Sequence, residues 1–493
     1  MLPSPSSSPQ GPPHVLDPIT NLAHIPQPQL LRQTSLKFFP TPPHEKKPKR
    51  QATLTGFGPN KPTIESSSDE EDWEPSDDEE DVFVAGPSTR PAHYGARAAQ
   101  TYNRPTYLSI YASTSTLPVL QSFVSSHKAD VFKCLSVQPD RHLTPPYACA
   151  YSHGARNGRT PYLAVAHEEG TVHIFNTSKR RDWDEEPQRQ TITNHSNGVF
   201  DVQWDNSDSR IVTCSGDKSA LITDVRTGQC THGLAPQGST VKCVAWDPNH
   251  QDLLATGSRD GSIHLFDLRV HEEWDDGLKM SNPVRAIPGA HQDLPKGKGR
   301  AKKGTPAAPG ITSLLSASAD GILKFWDLRC LTSGKKSRRR PRGILSLAAG
   351  RGPTAGYIFG LGADSQIHCY TLPSLTPDTS RRYTHPNLVS SGSFYVSISV
   401  SPCGRWLASG ANSKDGKAFI FDVATRPSEI NHASRGVQLN GQVGEVGAVD
   451  WAEDALATCA DDGTVRVWRP DVVVYRSCVQ QPEETRWDWA WAS

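Results

Sequence analysis

The sequence predicts an all-β protein, a seven-bladed β-propeller that follows a disordered N-terminal tail. Three observations support this: seven acidic turns recur along the chain, each turn is followed by the same strand pattern, and the composition changes near residue 105. The chain has 493 residues, and a single core rarely grows beyond about 250–300 residues. We therefore expect either several domains or a repeat array.

The seven turns are spaced 48, 43, 60, 44, 51 and 47 residues apart. Asp-Gly and similar pairs tolerate a positive φ, so they close a two-strand hairpin at little cost. The turns are Glu169-Gly170, Asp217-Lys218, Asp260-Gly261, Asp320-Gly321, Asp364-Ser365, Asp415-Gly416 and Asp462-Gly463.

Each turn is followed by alternating apolar residues. The third and fifth positions after the acidic residue are apolar in all seven cases, from Val172 and Ile174 to Val465 and Val467. Alternation with period two predicts a strand with one buried face. The sixth position is aromatic in six cases, and Asn or Asp follows in five. A four-stranded unit that ends in an aromatic-Asp pair is the WD-repeat signature, so the predicted fold is a seven-bladed WD-repeat β-propeller.

The composition divides the chain into a tail, residues 1–105, and a folded domain, residues 106–490. Eighteen of the 40 prolines but only one of the 12 tryptophans lie in the tail, which cannot bury enough apolar surface to fold. An eight-bladed propeller remains the alternative, with a degenerate blade in residues 106–160. The longest turn spacing predicts a basic loop insertion near residues 292–310, and GKKSRRRPR predicts another at 334–342.

Composition and motifs exclude several function classes. Lys+Arg and Asp+Glu both number 52, which argues against binding to nucleic acid by bulk charge, and no direct sequence-specific binding is expected. No apolar run reaches the roughly 20 residues of a membrane span, and the N-terminus lacks a secretory pattern. The ten cysteines form no CxxC pair and are typical of reduced thiols. Catalytic and metal-binding motifs are absent, so we expect no enzyme, cofactor or metal, and His173, His264 and His368 are interpreted as repeat positions.

Three consecutive repeats place an arginine two residues after the aspartate, in TDVR (223–226), FDLR (266–269) and WDLR (326–329). Two residues apart on a strand means the same face. We therefore expect the carboxylate to brace the guanidinium and to leave a preorganised planar donor at one rim of the propeller.

These motifs resemble those of WD-repeat substrate receptors of cullin-4 RING ubiquitin ligases, and most closely the denticleless family. The resemblance covers about residues 160–470 and is carried by YLAVAHEEGTVHIFNT, FDVQW, LLATGSRDGSIHLFDLR, LSASADGILKFWDLR and LATCADDGTVRVWRP, and by the basic insertion after GAH. It implies a face that docks the DNA-damage-binding adaptor of the cullin-4 scaffold. The residues implied to contact the adaptor are Asp267, Arg269, Trp326, Asp327 and Arg329, with Arg226 as a further candidate.

Two segments at the ends of the folded domain have alternative interpretations. Residues 116–126, TLPVLQSFVSS, fit either a short helix that docks into the adaptor or a strand that completes the last blade. Trp487, Trp489 and Trp491 alternate like a strand that closes the last blade, but they also fit a partner anchor.

The tail contains two copies of the pattern Gln-x-x-aliphatic-x-x-aromatic. They are Gln33, Leu36 and Phe39, and Gln51, Leu54 and Phe57. In a 3₁₀ turn, residues three apart point the same way and form a two-pronged plug. The pattern resembles the PCNA-interacting box, although Pro40 and Gly58 replace its final aromatic. The neighbouring basic block, Lys46, Lys47, Lys49 and Arg50, is a candidate nuclear import signal.

The resemblance implies a nuclear, non-catalytic receptor that directs PCNA-bound replication and cell-cycle proteins to ubiquitin-dependent degradation. Two alternatives remain: a generic nuclear WD-repeat scaffold in chromatin or RNA processing, and a receptor of the same ligase with unrelated substrates.

Overall fold

The computed structural model describes residues 116–270, 272–275, 278–291, 301–306, 313–318, 322–327, 332–336, 343–393, 395–425 and 436–493. Their strands form seven sheets, five of four strands and two of six. We number the sheets by the order of their first strands. The predicted tail, residues 1–105, lies outside the described residues.

The first described elements are helix α1 (Leu117–Gln121) and strands β1 (Phe123–Ser126) and β2 (Val131–Lys133). Sheet 1 follows, with β3 (Pro146–Tyr151), β4 (Tyr162–His167), β5 (Thr171–Asn176) and β6 (Gln190–Thr193). Sheet 2 begins with β7 (Val199–Trp204), β8 (Arg210–Ser215), β9 (Ala220–Asp224) and β10 (Cys230–Leu234).

Sheet 3 contains β11 (Val241–Trp246), β12 (Leu253–Ser258) and β13 (Ile263–Asp267). A hairpin of β14 (Glu272–Asp275) and β15 (Leu278–Ser281) follows, and β16 (Arg285–Ile287) completes sheet 3. Sheet 4 contains β17 (Ala301–Pro306), β18 (Ser313–Ser318), β19 (Leu323–Asp327) and β20 (Thr332–Lys336). Because β15 pairs with β10 in parallel, the hairpin extends sheet 2 to six strands.

Sheet 5 contains β21 (Ile344–Ala349), β22 (Tyr357–Gly362), β23 (Ile367–Thr371) and β24 (Thr376–Tyr383). Sheet 6 contains β25 (Ile398–Val400), β26 (Trp406–Ser409), β27 (Lys417–Asp422) and β28 (Val437–Asn440). Sheet 7 contains β29 (Val446–Trp451), β30 (Leu456–Ala460) and β31 (Thr464–Pro470). Helices α2 (Val472–Gln480) and α3 (Pro482–Thr485) follow, and then β32 (Trp489–Trp491).

The sheets form an all-β WD-repeat propeller. Each first strand contacts the first strands of the sheets on either side, and sheet 7 contacts sheet 1 in the same way, so the ring closes. One buried apolar cluster lies between each neighbouring pair of sheets. In β4, for example, Leu163 and Val165 face sheet 7, whereas Ala164 and Ala166 face sheet 2. Successive strand residues point to opposite faces, so a strand between two neighbours is apolar on both.

The predicted turns are confirmed at every described position. The second turn residue has a positive φ in six turns: Gly170 (+85°), Lys218 (+73°), Gly261 (+85°), Ser365 (+61°), Gly416 (+61°) and Gly463 (+74°). At Gly170 and Gly261 a Cβ would also approach a backbone carbonyl, to 2.4 Å from His195 O and 2.9 Å from His291 O. The turn Asp320-Gly321 lies outside the described residues.

The prediction of one buried face per third strand is wrong for several sheets. His173, Lys324, His368 and Arg466 lie between the apolar positions and are buried as well, since each sheet is packed between two others. Hydrogen bonds compensate for this burial. His173 bonds Thr191 Oγ1 and the carbonyl of Leu135, for example, and Lys324 donates to the carbonyl of Ala290.

Sheet 7 joins the two ends of the described chain. Strand β1 pairs with β31 on one side and with β32 on the other, so the strand interpretation is correct for residues 123–126 and for Trp489 and Trp491. It is wrong for Trp487, which lies in a turn before β32 and is exposed. The predicted short helix does form over five residues, but Leu120 and Phe123, two of the apolar residues predicted to dock, are buried in the core between sheets 6 and 7. Among the described residues no strand forms an eighth sheet, since β2 also pairs with β31.

The two basic insertions are shorter than predicted. Residues 301–306 form β17, which pairs with β18, and residues 332–336 form β20, which pairs with β19. Backbone hydrogen bonds complete sheet 4 here although the sequence lacks alternation. The β14–β15 hairpin accounts for part of the long spacing instead. Residues 292–300, 307–312 and 337–342 lie outside the described residues.

Candidate partner-docking surface

The aspartates of the three Asp-x-Arg motifs occupy equivalent positions in sheets 2, 3 and 4. Asp224, Asp267 and Asp327 end the third strands β9, β13 and β19, and each pairs with the first residue of its sheet's second strand. Loops of neighbouring sheets contact one another at this end, for example Asn206 Nδ2 and Asp247 O at 3.2 Å. We call this side of the propeller the strand-end face, and the opposite side, which carries the six described acidic turns, the turn face.

The predicted carboxylate–guanidinium pair is present in sheet 3. Asp267 Oδ1 accepts from Arg269 Nε at 2.9 Å, and Asp267 Oδ2 accepts from Nη2 at 2.8 Å. The backbone N–H of Arg269 also donates to Asp267 Oδ1, at 3.0 Å. A carboxylate that accepts two parallel N–H bonds from arginine fixes the plane of the guanidinium.

The pair lies at the surface, but its two side chains differ in solvent exposure. The side chain of Arg269 is 62% exposed and that of Asp267 is 14% exposed. Hydrogen bonds from Arg269 hold the pKa of Asp267 below its usual range, and Asp267 raises the pKa of Arg269 in return. Both groups therefore stay charged at neutral pH.

The route to this pairing differs from the prediction. Strand β13 ends at Asp267, and the buried Leu268 follows before Arg269. The guanidinium meets the carboxylate through a tight turn that the Asp267 side chain itself stabilises, and not through alternation along one strand.

The same sequence pattern gives a different arrangement in sheet 2. Asp224 Oδ1 accepts from the backbone N–H and the hydroxyl of Thr227, at 2.8 and 2.9 Å. Among the described residues no hydrogen bond or ion pair joins Asp224 to the exposed guanidinium of Arg226. The brace predicted for Arg226 is therefore wrong, and Thr227 instead donates twice to one oxygen of the carboxylate, Oδ1.

The aromatic residues of the motifs are buried. Trp326 is 6% exposed, packs between sheets 3 and 4, and donates through Nε1 to Ser316 Oγ at 2.8 Å. Phe266 is 1% exposed and packs between sheets 2 and 3. The prediction that Trp326 contacts a partner directly is therefore wrong. Its buried indole instead anchors the strand that ends at Asp327. Arg329 lies outside the described residues.

Comparisons with known proteins agree with this architecture. The WD domain, G-beta repeat family matches residues 186–224, 228–267, 384–422 and 436–469. Denticleless protein homolog A of Xenopus laevis is 30% identical over 397 residues, covering 71% of this chain and 52% of that protein. Cell division cycle protein cdt2 of Schizosaccharomyces pombe is 32% identical over 334 residues, covering 62% and 66%. Denticleless protein homolog of Homo sapiens is 29% identical over 375 residues, covering 66% and 46%.

This chain belongs to the denticleless family of WD-repeat proteins. It spans about half the length of several curated relatives it matches. Within the described part of the chain, no helix has the length and hydropathy needed to cross a bilayer.

The other predicted site residues of this family member lie outside the described residues. They are Gln33, Leu36, Phe39, Gln51, Leu54 and Phe57 of the two PCNA-box-like segments, and Lys46, Lys47, Lys49 and Arg50 of the basic block.

One feature that the sequence interpretation missed is the central channel. It encloses a cavity of about 220 Å³, lined mainly by first strands. At the turn face the rings of Tyr147, Phe200 and Tyr395 lie parallel, with centroids 4.4 to 6.0 Å apart, and Lys242 lies over Phe200. Burial and the neighbouring Tyr395 and Glu168 raise the pKa of Tyr147. An alignment of the first strands would have placed Tyr147, Phe200 and Lys242 at one position, because each is the second residue of its strand.

Proposed function

We propose that this protein is a substrate receptor of a cullin-4 RING E3 ubiquitin ligase, which directs PCNA-bound replication and cell-cycle proteins to ubiquitin-dependent degradation. The observation that carries the proposal is the guanidinium of Arg269, held in a fixed plane by Asp267 and 62% exposed on the strand-end face. The chain would transfer no ubiquitin itself and would act as a non-catalytic subunit in the nucleus.

Arg269 suits a contact with a protein partner for two reasons. Its rotamer is fixed before binding, so little conformational entropy is lost when a partner docks. Asp267 uses Nε and one Nη2 hydrogen, and the remaining N–H groups of the fork point away from that carboxylate. Buried arginines that pair with a partner's acceptors are frequent hot spots of protein interfaces.

The proposed adaptor contact extends into the neighbouring sheet. Sheets 3 and 4 are adjacent, because β11 contacts β17, and Asp327 ends β19 as Asp267 ends β13. We propose Arg269, Asp327 and Arg329 as the contact with the DNA-damage-binding adaptor, with Asp267 holding the guanidinium of Arg269 and with Phe266 and Trp326 anchoring the two strands from within. Arg226 would contribute only a peripheral positive charge, because no hydrogen bond or ion pair from the described part of the chain holds its guanidinium.

The closed ring supports a finer description of the fold. We infer that the seven sheets are the seven blades of the propeller, since one apolar cluster lies between each neighbouring pair. A ring of blades leaves few free strand edges. Its two faces are then separate surfaces, and docking the adaptor on the strand-end face leaves the turn face for substrate.

The tail would supply the link to the replication clamp. We propose that Gln51, Leu54 and Phe57 bind PCNA, with Gln33, Leu36 and Phe39 as a second copy, and that Lys46, Lys47, Lys49 and Arg50 direct nuclear import. A receptor that binds the clamp is concentrated where clamp-bound substrates are, which raises their effective concentration.

Pull-down of the purified adaptor with the full chain tests the adaptor contact. Arg269→Ala combined with Arg329→Ala should abolish capture, whereas Arg259→Ala should not. Arg259 is the matched control because it is an exposed arginine of the same sheet on the turn face. Capture of the double variant at the wild-type level would favour the scaffold alternative in chromatin or RNA processing.

A peptide of residues 45–64 tests the clamp link separately. It should bind PCNA, and Leu54→Ala with Phe57→Ala should remove that binding. If neither the peptide nor the full chain binds PCNA, while the adaptor still binds, a receptor with unrelated substrates is favoured.

A further inference from the structure

The strand-end mouth of the central channel brings two arginines together. Arg156 lies in the 3₁₀ turn Ala155–Asn157 after β3, and Arg351 precedes the 3₁₀ turn Gly352–Thr354 after β21. Both line the cavity, together with Asp450 near the end of β29. Sheets 1, 5 and 7 therefore each contribute one charged group to the same opening.

Asp450 is already fully engaged. Its carboxylate accepts from Tyr151 N at 2.7 Å, from Ser399 Oγ at 2.7 Å and from Arg156 Nη2 at 2.9 Å. Burial favours the neutral acid, yet Arg156 and these hydrogen bonds hold the pKa of Asp450 below its usual range. The single charge of Asp450 is thus balanced by Arg156.

Arg351 has no such partner. Within the described part of the chain, no hydrogen bond or ion pair holds its guanidinium. Burial by the surrounding protein is the main effect that lowers the pKa of Arg351, the like charge of Arg156 lowers it further, and the charge of Asp450 acts in the opposite direction. Its backbone is nevertheless fixed, because Thr354 Oγ1 accepts from Arg351 N at 3.2 Å and a Cβ at Gly404 would clash with Arg351 O at 1.9 Å.

Among the channel-lining residues whose side chains the structure describes, positive charges outnumber negative charges by one. The cations are Arg156, Arg351 and Lys242, and the carboxylates are Asp201 and Asp450. Lys242 lies over Phe200 toward the turn face, and Asp201 accepts from Val244 N at 3.1 Å. Of these cations, Arg351 lies at the strand-end mouth, where solvent reaches its side chain.

We propose that the strand-end mouth of the channel binds one oxyanion, a phosphate or a carboxylate group, between Arg351 and Arg156. Planar guanidinium groups match the geometry of both oxyanions. The cavity of about 220 Å³ is several times the roughly 30 Å³ that a water molecule occupies, so a phosphate ion fits. The proposal rests on the channel alone and stands whether or not the adaptor docks at Arg269.

Isothermal titration of the full chain with sodium phosphate, in a phosphate-free buffer at constant ionic strength, tests the site. We expect saturable binding that Arg351→Gln weakens about tenfold or more, since a hydrogen bond to a charged group is lost. Arg159→Gln is the matched control, because Arg159 is exposed on the loop that carries Arg156 and lies outside the cavity lining, and it should bind like the wild type.

A parallel titration with the peptide Gly-Glu-Gly distinguishes the source of the oxyanion. Binding of phosphate alone supports a free anion, and binding of the peptide, with or without phosphate, supports a carboxylate presented by a polypeptide. Binding of neither probe, or equal binding by Arg351→Gln and the wild type, overturns the proposal.

Thermal unfolding shows whether the Arg351→Gln variant is correctly folded. Removing an unpaired charge next to Arg156 should leave the melting temperature of Arg351→Gln unchanged or raise it. A marked decrease would mean that the guanidinium holds the fold together, and would also overturn the proposal.

Discussion

Sheets 2 and 3 carry nearly the same sequence at the ends of their third strands but use it differently. Asp267 binds the guanidinium two residues later, whereas Asp224 binds the backbone N–H and hydroxyl of Thr227 three residues later. Position 270 of sheet 3, the equivalent of Thr227, is valine and offers no hydroxyl. We therefore expect the residue after the motif to decide whether the arginine is held by the aspartate.

This competition follows from local geometry. A carboxylate at the end of a strand satisfies nearby N–H groups of its own turn, and a threonine there adds a second donor. In sheet 2 both donors come from one residue and satisfy the carboxylate oxygen that Arg226 would otherwise use. A repeated Asp-x-Arg motif is thus not by itself evidence of a repeated surface feature.

The largest expected difference is in adaptor binding. Arg269→Ala should weaken the affinity for the adaptor on the order of 30-fold or more, as for a hot-spot residue, whereas Arg226→Ala should change it by about threefold or less. Surface plasmon resonance with the full chain measures both. Equal losses for the two variants would mean that bracing has no role.

Replacing Val270 by threonine should make the Asp-x-Arg motif of sheet 3 behave like that of sheet 2, in which the arginine is not held. Val270→Thr offers Asp267 a competing hydroxyl, so the guanidinium is released for part of the time, and adaptor affinity should fall about threefold to tenfold. Val270→Ala is the matched control, because it removes bulk without adding a donor, and it should bind like the wild type. Equal binding by the two variants would mean that the hydroxyl does not determine whether Asp267 holds Arg269.

The reciprocal change should create a pair in sheet 2. Thr227→Val removes the hydroxyl that Asp224 accepts from, and Arg226 should then bind the carboxylate. NMR of the arginine Nε–H groups measures this as slowed hydrogen exchange at Arg226 and an unchanged rate at Arg269. Unchanged exchange at Arg226 would contradict the competition.

The pKa values of the two aspartates give the smallest effect. Both lie below the usual range, that of Asp267 through Arg269 and that of Asp224 through Thr227. Arg269→Ala should therefore raise the pKa of Asp267 toward about 3.9, while Arg226→Ala should barely move that of Asp224. Carboxyl ¹³C shifts followed by NMR titration measure both.

The sign of the pH dependence follows from these shifts. A carboxylate with a lowered pKa in the folded protein contributes stability above its unfolded pKa and loses it as the pH falls through the folded one. The Asp267–Arg269 pair should accordingly persist from pH 8 down to about 4 and separate only below it. Loss of the pair between pH 5 and 7 would contradict this assignment.

Much of the propeller could be predicted from the sequence because its strongest signals are local. Positive φ at Gly170 and Gly261 and the apolar positions after each turn are requirements of one hairpin. Strand β17 could not be predicted, because backbone pairing with β18 and not side-chain alternation defines it. The burial of His173 on the second face of its strand could not be predicted either, since it depends on the neighbouring sheet.

The two candidate sites likewise differ in whether the sequence could predict them. The Asp267–Arg269 pair lies within three residues, so sequence reasoning could find it, although it overlooked Thr227 as a competitor at Asp224. Arg156, Arg351 and Asp450 come from sheets 1, 5 and 7 and meet only when the ring closes. No pattern within one repeat could have joined them.

The central claim is that Asp267 acts on a partner by holding Arg269. A double-mutant cycle for adaptor affinity, with Asp267→Ala, Arg269→Ala and the double variant of the full chain, tests it most directly. If Asp267 acts only through Arg269, Asp267→Ala should weaken binding, and the double variant should bind no more weakly than Arg269→Ala alone. Losses that simply add, or a neutral Asp267→Ala, would contradict it.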